Sequence, residues 1–149
     1  MPAAAEWTRL ERGLAIDVAA SVAAYTEALE AIEFRKAARA LEGLWSTANR
    51  YWSAAEPWRA DAERAGTVVA VGLNLLRVIG VLGAPWIPET SGRLLSALGV
   101  AADGGGWVEG AELDALPAGQ PVRAIEPLFE KVTDEEVAAW RARFAGVPG

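Results

Sequence analysis

An all-α fold, an antiparallel bundle of about four helices followed by a short C-terminal one, is what the pattern of this chain predicts. Three observations carry the prediction. Apolar residues recur at steps of three and four from Leu10 to Ile32, the same period resumes from Ala37 to Trp52, and Pro57, Pro85 and Pro88 punctuate the periodic runs.

Leu10, Leu14, Val18, Val22, Tyr25, Leu29 and Ile32 place one long amphipathic helix over about 6–31. Glu33-Phe34 reads as a tight corner, after which Ala37, Leu41, Leu44, Trp45, Ala48, Tyr51 and Trp52 carry a second helix to about residue 54. Pro57 cannot extend it, because proline lacks the N–H and drives Glu56 out of the helical region. A third helix, about 61–83, is apolar on most of its circumference and is expected to be the most buried; Pro85 ends it. Pro88 suits a first helical turn with Glu89 near the positive end of the dipole, Leu94, Leu95 and Leu98 form the buried stripe, and Gly99 closes the helix. From residue 100 the period is lost. Gly104-Gly105-Gly106, Pro117, Pro121 and Pro127 predict a long irregular crossing pinned at Trp107, Leu113, Leu116 and Leu128-Phe129. Thr133 with Glu136 three residues on is a capping box, which starts a last helix over about 134–144 that Gly146 stops.

The 149 residues, 52% apolar, suit one domain able to bury a core. The expected organisation is a single unit, with a bundle over 1–99, the irregular crossing over 100–133 and the C-terminal helix over 134–145. The net charge of −6, with pI near 4.7, argues against a general nucleic-acid coat. Locally the balance reverses. Within 35–64, six cations (Arg35, Lys36, Arg39, Arg50, Arg59, Arg64) face four acids (Glu42, Glu56, Asp61, Glu63).

Cysteine and histidine are both absent, which excludes disulfides, thiolate chemistry, the usual zinc sets and the Ser-His and Cys-His pairs. Catalysis would have to rest on carboxylates, Lys or Tyr, and no pair of acids stands on an apolar face. No cofactor and no metal is expected. The triple glycine follows no predicted strand and has no Gly-Lys-Ser/Thr partner, so it does not read as a phosphate cradle. Asp134-Glu135-Glu136 complements its own helix dipole rather than a cation. The apolar run 68–84 is broken by Asn74 and Arg77, and the N-terminus lacks a basic-then-apolar pattern; neither membrane span nor signal peptide is read, and the cytoplasm is the expected location.

The seven tryptophans carry the remaining information. Trp45, on the apolar stripe, is expected in the core, while Trp7, Trp52, Trp86, Trp107 and Trp140 suit core or edge packing. Trp58 differs: Pro57 fixes its approach just past a helix that carries Arg50, with Arg59 beside it. A flat indole flanked by guanidinium groups suits stacking on an unpaired nucleobase, the alternative being a hydrophobic plug for the bundle end.

The run "FRKAARALEGLWSTANRYWSAAEPWRADAERAGTVVAVGLNLLRVIGVLGAPWIPETSGRLLSALG", residues 34–99, resembles the anticodon-binding domain of bacterial methionyl-tRNA synthetase. The matching elements, in order, are Asn49-Arg50-Tyr51, Glu56-Pro57-Trp58, Leu76-Arg77 and Pro85-Trp86-Ile87-Pro88-Glu89, and "PLFEKVTDEEVAAWRARFAG" is similar to the end of such synthetases. The resemblance implies a tRNA partner, with Trp58 stacking on an anticodon base of CAU, Pro57 setting its position, and Arg50 and Asn49 in the neighbouring motif; with that partner, the local charge makes Arg50 and its neighbours Arg59, Arg39 and Lys36 the expected phosphate contacts. For Asn49 a bond within the bundle stays open beside an RNA contact. The family's other anticodon readers, an Asn and an Arg four residues apart, stand on a preceding helix, and no such pair occurs upstream of Trp7. The chain is therefore expected to lack that helix, to bind weakly and to be salt-sensitive. The family's H-I-G-H and K-M-S-K-S signatures are missing too, which implies a non-catalytic module that works with a catalytic synthetase domain. A protein-interaction module that dimerises through an apolar face left open by the missing helix is the alternative.

Overall fold

The computed structural model describes residues 1–2, 6–101 and 106–145. Gly104, Gly105 and the expected helix stop Gly146 lie outside the described residues, among which every regular element is helical: α1 (Arg9–Glu30), α2 (Phe34–Ala55), α3 (Ala62–Gly83), α4 (Pro88–Ala97) and α5 (Asp134–Phe144). Consecutive helices pack on one another from α1 to α4, joined by short corners. Such corners favour antiparallel neighbours.

α1 starts three residues later than its period predicts because Thr8 caps it, in a capping box with Glu11. Its far end also differs from expectation. Ile32 does not extend the buried stripe; it is 72% exposed in a left-handed turn at φ +59°, where the Ile32 N–H donates to the Leu29 carbonyl and the Glu33 N–H to the Ala28 carbonyl. That is a Schellman closure with a β-branched residue at the position that favours glycine. α4 ends with the same bonding, and there Gly99 occupies the left-handed position at φ +69°. Ile32→Gly is therefore expected to stabilise the protein by about 0.5–1 kcal/mol, the relief of left-handed strain exceeding glycine's extra unfolded-state entropy. Urea denaturation of the two proteins checks this.

The core runs through Val18, Val22, Tyr25, Leu41, Leu44, Val71, Val78 and Leu95. α3 contributes the largest share of it, as its apolar circumference requires. Its mean hydropathy of 1.9 over an 18-residue window is high enough for a membrane span, and 61% of that window is buried between its neighbours. Its two polar interruptions are used internally. Asn74 Nδ2 donates to the Ala70 carbonyl while its Oδ1 accepts the Leu116 N–H at 2.7 Å, and Arg77 pairs with Glu112 at 2.7 Å. These bonds pin the irregular crossing onto α3, with Val108, Leu113 and Leu116 buried beneath it. Of the other expected pins, Phe129 is exposed, and Trp107 is held by its edge: it stacks on Tyr25 at 6.0 Å and donates to Thr26 Oγ1.

Trp45 corrects another expectation. It is 38% exposed, because the interior of α2 is taken by Ala37, Leu41, Leu44, Thr47 and Tyr51 and the next position around the helix lies on the rim of the α2/α3 seam. Trp86 is edge packing: its indole N–H donates to the Tyr25 hydroxyl at 2.8 Å, that hydroxyl donates to the Leu82 carbonyl at 2.7 Å, and Phe34 meets the ring edge-on. α5 buries no side chain.

Candidate nucleic-acid interface

The corner between α2 and α3 is built by local sequence. Pro57 excludes the right-handed helical region for Glu56, which takes the left-handed conformation at φ +40°, ψ +58° and returns its N–H to the Trp52 carbonyl. The Arg59 N–H then donates to the Glu56 carbonyl at 2.9 Å, and the Asp61 side chain caps α3 by accepting the Arg64 N–H at 2.8 Å. Trp58 projects from this turn 63% exposed, with no aromatic or hydrogen-bonding partner among the described residues. A side chain so open does not plug the bundle end.

The expected site residues are distributed unevenly around it. Arg59 is beside Trp58 and pairs with Glu56 at 3.1 Å, an exposed pair that is readily exchanged for another anion. Arg50 donates to Thr47 Oγ1 at 3.1 Å and lines a cleft of about 560 Å³ between α1 and α2, with Arg9 and Asp17 across it and Leu10, Gly13 and Ala54 along its walls. Asn49, although adjacent in sequence, faces the other side of α2, on the α2/α3 seam beside Trp52, Gly72 and Leu76. Its side chain makes no hydrogen bond among the described residues, so the bond within the bundle is not made. Lys36, paired with Glu33 at 2.7 Å, and Arg39 stand in the first turns of α2, roughly 25–30 Å of helical rise from the corner. Trp58, Pro57, Arg59 and Arg50 thus share one end of the bundle, and Lys36 and Arg39 do not.

That end holds a cluster which periodicity does not reveal. Glu11, wholly buried, accepts four bonds: from the Thr8 N–H and hydroxyl at 2.9 and 2.6 Å, from the Tyr51 hydroxyl at 2.9 Å and from Arg64 Nη2 at 2.7 Å. Burial pushes its carboxyl up, but the Arg64 guanidinium, the two Thr8 donors and Tyr51 outweigh that and hold it at about 2. Burial and the neighbouring carboxylate push the Tyr51 phenol well above its ordinary range. The one available signal was the spacing Thr8-x-x-Glu11 ahead of an apolar run, which marks a helix start but not the burial of its carboxylate.

The family described as "Anticodon binding domain of methionyl tRNA ligase" matches this chain over residues 1–149. The chain belongs to that family. Similar curated relatives of this anticodon-binding domain are methionine–tRNA ligases: that of Ruegeria sp. (strain TM1040) is 40% identical over 98% of the chain, and that of Streptomyces avermitilis 36% identical over 99%. The domain spans only about a quarter of their length, 26% and 27% respectively. Its fold matches part of the crystal structure of Mycobacterium tuberculosis methionyl-tRNA synthetase bound by methionyl-adenylate, with a TM-score of 0.63, 22% identity, and 87% of this chain against 26% of that one. The corner that carries Trp58 is therefore part of an anticodon-binding fold.

Proposed function

We propose that this domain binds methionine tRNA through its CAU anticodon loop, Trp58 stacking on a splayed base while Arg50 and Arg59 contact the flanking phosphates, and that it acts by binding alone. The observation that carries the reading is the open indole of Trp58 on a proline-set corner with two guanidinium groups at the same end of the bundle. Aromatic faces and cations are what single-stranded RNA loops are read with. Lys36 and Arg39, farther along α2, would meet the stem, and Asn49 would serve only an RNA segment that crosses to the α2/α3 seam. Catalysis would belong to a synthetase domain working beside this one, in the cytoplasm where tRNA is charged.

The test is titration of a labelled anticodon stem-loop bearing CAU at low salt, beside a loop with an altered first anticodon base and beside Trp58→Ala. The stacked base is worth about 1–3 kcal/mol, so Trp58→Ala should weaken CAU binding roughly 5- to 150-fold and remove the preference between loops. Affinity should also fall as salt rises, with a shallower slope for Arg50→Gln. Equal binding in all three titrations overturns the reading. A protein-interaction or dimerisation role is the second reading, favoured by Trp45, Trp52, Leu76 and Phe129, all exposed. Sedimentation showing a concentration-dependent dimer that protects Trp58 would support it.

A further inference from the structure

We propose that Glu11 is the positioning residue of the Trp58 corner: its one buried carboxylate ties together the three helix ends that frame the RNA-reading face. The inference rests on the anticodon-reading role of Trp58 for its functional meaning, though not for its geometry. Glu11 stands in the first turn of α1 and is bonded there to the Thr8 cap. Its other oxygen receives Tyr51, near the end of α2, and Arg64, in the first turn of α3. Residues 52–63, the whole corner with Pro57 and Trp58, therefore hang between two side chains fastened to the same atom, Glu11 Oε1.

The corner has little else to place it. Trp58 and Arg59 are exposed, the side chains of Glu56 and Arg59 bond only to each other at the surface, the backbone bonds of Glu56 to Trp52 and of Arg59 to Glu56 are local to the turn, and the Asp61 cap orients the start of α3. Arg64 depends on Glu11 in the same way. Its Nη1 is buried without a partner, so the carboxylate is the only side-chain acceptor its guanidinium has among the described residues. A half-buried guanidinium whose one side-chain bond is to a carboxylate loses that orientation when the carboxylate is removed. Loss of the tie would let the start of α3 and the end of α2 move independently. The fraction of molecules presenting the indole correctly would fall, and the apparent affinity with it.

The experiment uses the full chain labelled with 5-fluorotryptophan, the Trp58 resonance being assigned by Trp58→Phe. Fluorine spectra of wild type, Glu11→Gln and Tyr51→Phe are compared, and each protein is titrated with the CAU stem-loop. Tyr51→Phe removes one bond to Glu11 and is the variant that keeps the test decisive if Glu11→Gln does not fold. The expected result is a shifted or broadened Trp58 line while those of Trp86 and Trp107, which sit around Tyr25 at the opposite end of the bundle, stay in place. CAU affinity should fall about two- to tenfold in Tyr51→Phe, the worth of one hydrogen bond. An unchanged Trp58 line in folded variants overturns the proposal, and so does a uniform shift of every tryptophan line, which would mark general loosening. If the Trp58 line responds as expected but wild type does not distinguish the loops, the positioning role stands and the anticodon reading fails.

Discussion

Glu11→Ala is expected to destabilise the domain by about 3 kcal/mol at neutral pH, the order set by losing a buried carboxylate's charge-assisted bonds from Arg64, Tyr51 and Thr8. The substitution leaves the half-buried Arg64 without the carboxylate it bonds and the Tyr51 hydroxyl and the Thr8 cap without their acceptor. Acid should reproduce part of this effect in the unmodified protein. The folded carboxyl titrates at about 2 against an ordinary value of 4.5, so its contribution is complete above about pH 4.5 and is lost as pH falls through about 2. The shift corresponds to on the order of 3 kcal/mol. The groups facing Glu11 do not blur this window: Arg64 is raised further by the carboxylate and stays charged, and Tyr51 stays neutral. Glu112, where burial is outweighed by Arg77, is lowered as well, so the informative quantity is the difference between wild type and Glu11→Gln. Urea unfolding at several pH values between 7 and 2 should show that difference shrinking as the pH drops; a constant difference would deny Glu11 its charge-specific role.

Leu95→Ala should cost about 2–5 kcal/mol, because α4 is only ten residues long and Leu95 is its wholly buried anchor. The seat for Leu95 is Gly80 on α3: a Cβ built there would lie 2.9 Å from Leu95 Cδ2 and 3.1 Å from Cγ. Gly80→Ala in the wild-type background therefore overpacks the contact by about 1–3 kcal/mol, partly offset by the roughly 1 kcal/mol that alanine contributes to helix propensity. After Leu95→Ala the obstruction is gone, and Gly80→Ala should become neutral or stabilising. A double-mutant cycle measured by urea denaturation should give a coupling of about 0.5–3 kcal/mol, and simple additivity would show that Gly80 is not the seat.

Much of the helical framework was legible because each helix end has a local cause. The end of α2 follows from Pro57, α4 opens on Pro88 and closes before Gly99, and Thr133 with Glu136 starts α5 at Asp134 as its capping box predicts. Periodicity misleads at two positions. Ile32 has the right spacing for the α1 stripe, but the helix has already closed, and Trp45 has the right spacing for α2 but stands on the rim of the α2/α3 seam. The proline-tryptophan corner could be read directly, since proline acts on the residue before it and a turn of six residues has few ways to run. The cluster behind it could not. Glu11 and Arg64 are 53 positions apart, Tyr51 lies 40 from Glu11, and none of the three carries a local mark of the others.

By itself, then, the sequence determined the helices, the rigid corner that presents Trp58, and kinship with the anticodon-binding domains through motifs in a fixed order. Only the tertiary structure decided that Arg50 and Asn49 face different clefts, which tryptophans are left uncovered, and that one buried carboxylate gathers three helix ends. The physical reason is one of range. Caps, prolines and periodicity act over three or four residues of backbone, whereas the meeting of distant side chains depends on how helices cross, and that is set by the packing of the whole core at once.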